Sequence, residues 1–153
     1  MIEGVELFPL ERFEDARGWL VELMRVSKLP GPVKQSNLSL SRQGVIRGLH
    51  YHERGQSDLF ACVQGMARVV VLDRESGETF TIDIGDDNPT AVYIPGHYAH
   101  GFEALTDCLF LYHVTEEYDR DEPDEHEFPW NDPRVAHLWS TESPILSERD
   151  AVT

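Results

Sequence analysis

The chain has 153 residues, 41% of them apolar, and carries 28 acidic against 13 basic side chains for a net charge of −15. That length suits one domain with its own core, expected over residues 1–153, and the charge argues against a nucleic-acid partner, because neutralising phosphates takes clustered Lys and Arg. No apolar run reaches the length of a membrane span and no basic-then-apolar leader opens the sequence, so no membrane association and a cytoplasmic location are expected.

In chain order, residues 4–25 read as extended, with a turn at Glu14-Asp15-Ala16-Arg17-Gly18. Residues 27–32 read as a loop or a single helical turn stopped by prolines. The stretch Gly44-Val45-Ile46-Arg47-Gly48-Leu49-His50-Tyr51-His52 then sets two histidines among glycines and apolar residues. Strands are predicted at 59–63, 67–72, 78–84, 90–94 and 108–114, each rich in β-branched or aromatic residues. Turn signals such as Gln64-Gly65, Glu75-Ser76-Gly77 and Gly85-Asp86-Asp87-Asn88-Pro89 separate the first four. Before the last lies a second histidine motif, Ile94-Pro95-Gly96-His97-Tyr98-Ala99-His100-Gly101-Phe102. Cys62 and Cys108 fall in apolar runs and read as buried reduced thiols. The acidic residues 116–125 read as a solvated loop. Phe128, Trp130, Leu138 and Trp139 are expected to pack back on the domain. Short strands at this spacing, without a long amphipathic helix, predict an all-β barrel or jelly roll.

Two chemistries compete for the histidines. His50 and His52 lie two apart on a presumed strand and so share a face. Together with Gln56 and His100 they resemble what a metal-binding cupin places around Fe, Mn, Ni or Zn, with Asp58 or Glu53 standing for the usual carboxylate. The plainer reading makes His52 a polar residue at the barrel mouth. Proton abstraction beside a carbonyl instead needs a histidine held in one tautomer, usually by a carboxylate, and inversion of a centre needs an acid on the opposite face. Tyr112 on the last strand is a candidate acid. By position alone it reads as an ordinary strand aromatic, and His100 as a core histidine bonded to backbone.

Phe13-x-Asp15-x-Arg17-Gly18-x-x-x-Glu22, Gln35-Ser36-Asn37-Leu38-Ser39 and Val45-Ile46-Arg47-Gly48-Leu49-His50-Tyr51 resemble the dTDP-4-dehydrorhamnose 3,5-epimerase family. So do the second histidine motif, Tyr112, Tyr118, Trp130-Asn131-Asp132-Pro133 and Leu146-Ser147-x-x-Asp150. The resemblance implies an all-β, cupin-like jelly-roll barrel with short irregular or helical C-terminal segments, working as a homodimer on a nucleotide-diphospho-sugar without metal or other cofactor. It implies proton removal and return at C3, C5 or both of a dTDP-4-keto-6-deoxyhexose. His50 would be the base, Asp150 its orienting anion and Tyr112 the acid. Arg17, Glu22, Gln35, Asn37, Arg47, Asp58, His100 and Tyr118 would bind substrate. Arginine suits a diphosphate because its planar fork makes paired, charge-assisted bonds.

The chain also departs from that family. The family's active-site lysine, which stabilises the enolate oxygen, falls on Asp58; an acidic residue on the next strand falls on Val69; and His52 stands where Gln is common. Asp58 is expected to pair with His52 or Arg54, or to contact substrate, rather than to act as a neutral acid. Two rival readings keep the fold: a metal-dependent cupin using His50, His52 and His100, and a non-catalytic sugar-nucleotide binding protein. A sheet edge left open, and an extended N-terminal segment able to join a neighbour's sheet, point to a dimer as the resemblance does.

Overall fold

The structure, a computed structural model, describes residues 1–151. Its strands are β1 (Glu6–Pro9), β2 (Arg12–Asp15), β3 (Gly18–Val21), β4 (Gln35–Ser41), β5 (Ile46–Tyr51), β6 (Ser57–Gln64), β7 (Met66–Leu72), β8 (Thr79–Gly85), β9 (Thr90–Pro95), β10 (Ala99–Ala104), β11 (Cys108–Val114) and β12 (His126–Glu127). Two 3₁₀ turns, Val26–Lys28 and Ala136–Leu138, and one helical turn, α1 (Glu148–Ala151), complete the order. Two five-stranded antiparallel sheets face each other, β1-β9-β6-β11-β4 and β12-β5-β10-β7-β8, with β2 and β3 as a separate hairpin. This is the jelly-roll arrangement expected from the strand spacing. Among the described residues no helix is long and apolar enough to cross a membrane.

The core between the sheets is aromatic and β-branched. Phe102 of β10 stacks on Phe110 of β11 with ring centroids 3.6 Å apart, and Phe60 meets Phe110 edge-on at 5.1 Å. Val69 and Val71 point into this core, whereas Val70 and Leu72 point to the other side of the same strand and are equally buried. The C-terminal segment makes that possible: Val135 and Trp139, with Phe128, Trp130, Leu138 and Leu146, cover the outer face of the second sheet. Trp139 Nε1 donates to the Trp130 carbonyl at 2.8 Å, and buried Glu103 accepts from the Ser140 N–H at 2.8 Å. The aromatic tail therefore packs back as expected. Cys62 and Cys108 are both free and buried.

β10 was not foreseen as a strand. With Gly101 and two alanines its sequence carries little strand signal, yet all six residues are buried. It is the central strand between β5 and β7, and close packing explains its small residues. A Cβ on Gly48 (φ +134°) would lie 2.9 Å from the Gly101 Cα, and one on Gly101 would lie 2.4 Å from the Arg47 carbonyl oxygen. Only a glycine pair lets the two backbones approach so closely. The register there pairs His50 with His100, which brings the two histidine motifs together at one end of the barrel.

Candidate active site

A cavity of about 920 Å³ lies between the sheets. Gln35 and Asn37 of β4, Asp58 of β6 and Tyr112 of β11 reach it from the first sheet, and Arg47, His50 and His100 from β5 and β10 of the second. On β4 the alternation is clean: Gln35 and Asn37 turn inward, while Leu38 and Leu40 face solvent. Tyr118 lies at the cavity rim, its N–H donating to Gln35 Oε1 at 2.9 Å.

The C-terminal segment delivers Asp150. Residue 145 bridges to residue 45 beside β5, with Ile46 N–H donating to the Ile145 carbonyl at 3.1 Å and Ile145 N–H to the Gly44 carbonyl at 2.9 Å. One turn of α1 then places Asp150 Oδ1 2.8 Å from His50 Nε2, while Asp150 Oδ2 accepts the Gly48 N–H at 3.2 Å. Two further carboxylates attend the same ring: Glu127 Oε2 at 3.2 Å from Nε2 and Glu125 Oε1 at 3.7 Å from Nδ1. Burial alone would lower the His50 pKa. The Asp150 hydrogen bond and the charges of Glu125, Asp150 and Glu127 outweigh it and raise the pKa above the ordinary value. Asp150 is itself buried, but its bonds to His50 and Glu127 hold its carboxyl below the usual range. Glu127 takes the cost of this crowding. Burial and its hydrogen bond with Asp150 push it up to about 7. The Tyr112 phenol is raised by burial and by the charges of Glu125 and Asp58, so it keeps its proton at neutral pH.

Asp58 is buried beside two imidazoles. His100 Nε2 is 3.2 Å from Oδ2 and His52 Nε2 is 3.6 Å from Oδ1. Burial opposes its ionisation, yet the neighbouring His100 and His52 hold its pKa well below the carboxylate range, so it is no neutral acid. Pairing with His52 agrees with expectation, and pairing with His100 is new. Arg54 is directed elsewhere, donating to the Glu122 carbonyl at 2.5 Å. His50, engaged by Asp150, stands apart from the His52–Asp58–His100 group, so the structure divides the trio His50, His52 and His100 between two clusters.

Two expected site residues are not at the cavity. Arg17, at the tip of the β2–β3 hairpin, has a 90% exposed side chain and pairs with Asp15, and Glu22 pairs with Arg25 at 2.8 Å. Within one chain the hairpin packs away from the site. Conversely, residues 116–125 are not merely a solvated loop. Glu116, Glu117, Asp119, Glu122, Asp124 and Glu125 line the cavity mouth. Asp124 accepts the N–H groups of Glu53 and Arg54 at 2.9 and 2.8 Å, which fixes the loop after β5. Glu125, Glu127 and Arg149, which pairs with Glu125 at 2.6 Å, went unrecognised in the sequence. The acidic run was the visible signal; its register against β5, which sets Glu127 opposite His50, was not.

A profile of the family described as dTDP-4-dehydrorhamnose 3,5-epimerase matches residues 1–153. The spore coat polysaccharide biosynthesis protein SpsL of Bacillus subtilis is 38% identical over 150 residues, covering 93% of this chain and 99% of that protein. The dTDP-4-dehydrorhamnose 3,5-epimerase of Methanothermobacter thermautotrophicus is 32% identical over 168 residues, covering 97% and 88% respectively. Among solved structures, ChmJ, a 3'-monoepimerase from Streptomyces bikiniensis in complex with dTDP-quinovose, superposes with a TM-score of 0.88 at 29% identity, over 99% of this chain and 83% of that one. A jelly roll with a His–Asp pair and a facing tyrosine, matched along its whole length, places this chain in the dTDP-4-dehydrorhamnose 3,5-epimerase family.

Proposed function

We propose that the protein epimerises a dTDP-4-keto-6-deoxyhexose by removing a proton beside the C4 ketone and returning one to the opposite face, at C3, C5 or both. The observation that carries this reading is the His50–Asp150 bond at 2.8 Å, with Tyr112 reaching the same cavity from the other sheet. With Nε2–H donating to Asp150, Nδ1 of His50 is the nitrogen that takes the proton. Asp150 fixes the tautomer and stabilises the imidazolium that forms. Tyr112, protonated at neutral pH, supplies the proton from the other face.

The cavity of a single chain is rich in acid. Among the described residues lining the cavity, the carboxylates of the 116–125 segment outnumber the cations Arg47, Arg54 and Arg149, and Lys34 pairs with Glu116 at 3.1 Å, which suits a diphosphate poorly. The β2–β3 hairpin exposes Phe13, Trp19 and Leu20, and the edge strand β4 exposes Leu38 and Leu40. An isolated hairpin with both faces in water is marginal at best. A homodimer in which the partner's hairpin packs against β4 covers these residues. It also brings Arg17 of the partner subunit and Glu22 of the partner subunit toward the nucleotide, alongside Arg47, Gln35, Asn37 and Tyr118. Free buried thiols at Cys62 and Cys108 suit the reducing cytoplasm in which we place the protein.

Proton NMR of dTDP-4-keto-6-deoxyglucose incubated with the protein tests the reading. The expected result is inversion at C3, C5 or both. An unchanged sugar, with the nucleotide demonstrably bound, would leave a binding protein and overturn the enzymatic reading.

A further inference from the structure

The proposed proton transfers leave a second cluster in the cavity unused. His52, Asp58 and His100 are all buried, and one donor atom from each lies within 4.8 Å of the others. His52 follows the end of β5, Asp58 comes from β6 of the facing sheet and His100 from β10. The far nitrogen of each ring is held by backbone: His52 Nδ1 is 2.5 Å from the Asp124 carbonyl and His100 Nδ1 is 2.8 Å from the Tyr98 carbonyl. A carbonyl only accepts, so both Nδ1 atoms carry protons. In neutral imidazoles the two Nε2 lone pairs then face the same carboxylate; the Gln56 amide nitrogen meets His52 Nε2 at 3.2 Å and Asp58 Oδ1 at 3.1 Å, but no hydrogen lies between His100 Nε2 and Asp58 Oδ2, 3.2 Å apart. A positive centre between them resolves the conflict.

Imidazoles oriented by Nδ1–H bonds to backbone carbonyls are the outer-shell pattern of metal-ligating histidines. Two imidazoles and a carboxylate, with a side open to a cavity, are a donor set for divalent first-row ions that keep a position for water or substrate. The acidic rim formed by Glu122, Asp124 and Glu125 favours entry of a cation. We infer that His52, Asp58 and His100 bind one divalent first-row transition-metal ion, contrary to the metal-free site that the family resemblance implies. On the epimerase reading, on which this further role rests, the ion stands where the family's lysine places its charge. Two neutral imidazoles, one carboxylate and a divalent ion leave a single net positive charge there. The ion then stabilises negative charge on the ketone oxygen as a Lewis acid.

The test uses untagged protein stripped with a chelator and titrated with Co²⁺ and Zn²⁺. One ion per chain is expected, with the Co²⁺ absorption of a nitrogen- and oxygen-ligated site. Asp58→Asn and His100→Asn should weaken binding by roughly 100-fold or more, since even outer-shell losses cost 10- to 100-fold. His50→Asn, outside the cluster, should keep the affinity. Circular dichroism checks that the variants fold. If they do not, ¹⁵N NMR of the wild type decides, because Zn²⁺ must shift Nε2 of His52 and His100 while Nδ1 of each stays protonated. No stoichiometric uptake, uptake indifferent to both variants, or unshifted Nε2 signals would overturn the site. Deuterium wash-in should fall at least tenfold on stripping and return with the ion; equal rates would overturn the lysine-replacing role. Normal ion binding with no wash-in under either condition would instead count against the epimerase reading and leave the metal site standing.

Discussion

His50 must be neutral to accept a proton, and its neighbours raise its pKa above 6.5. Wash-in should therefore decline as pH falls through that raised value. Asp150→Asn removes the hydrogen-bonding anion, so the acidic limb of the profile should move to lower pH and the plateau should drop by roughly 100- to 10,000-fold. A pH–rate profile checks both; an unmoved limb would separate Asp150 from the base. Glu127 makes a prediction of a different kind. Its folded pKa lies at about 7 against 4.5 for an ordinary glutamate. A raised carboxyl contributes stability below pH 4.5 that is lost as pH rises through 7. Glu127→Gln, permanently neutral, should melt higher than wild type at pH 8, and the gain should shrink toward pH 5. The roles proposed for His50 and Asp150 are legible only through the family resemblance, because no spacing rule links a strand residue to a helical turn near the chain's end. Glu127 was not legible at all, since its meeting with His50 depends on the register of a two-residue strand.

Strand patterning gave β6, β7, β8, β9 and β11 to within two residues, and the bounds of β11 agree at both ends. β-branched runs between glycine and proline turns carry that signal physically. β10 was missed because its small residues serve close packing against β5 rather than strand propensity. The β2–β3 hairpin was read correctly as extended with a turn at 14–18, but its relation to the site could not be read from one chain. Exposed Leu38 and Leu40 on the edge of β4 supply the element-scale test. On the proposed dimer, Leu38→Asp with Leu40→Asp should give a monomer in sedimentation at micromolar concentration and raise KM for the sugar nucleotide far more than it lowers kcat. A wild-type monomer at that concentration, or a variant whose association and KM are unchanged, would remove β4 from any interface.

At the scale of the molecule, two sheets and a C-terminal wrap hold the half-buried His50, proposed above as the general base, in an acid-lined cavity. The second sheet is sandwiched between the inner core and the segment carrying Val135 and Trp139, and that same segment ends in the turn that presents Asp150. The tail that covers the second sheet thus also carries the aspartate that meets His50. Net charge argues against a nucleic-acid partner but does not foretell that the acidic run 116–125 lines the cavity. The central claim is proton exchange by His50 next to a ketone, with return from Tyr112. Deuterium incorporation from D₂O into dTDP-4-keto-6-deoxyglucose, followed by mass spectrometry, tests it most directly. The account predicts incorporation with wild type, none above background with His50→Asn, and with Tyr112→Phe incorporation that outlasts inversion of configuration. Wild-type-like incorporation with His50→Asn would contradict it.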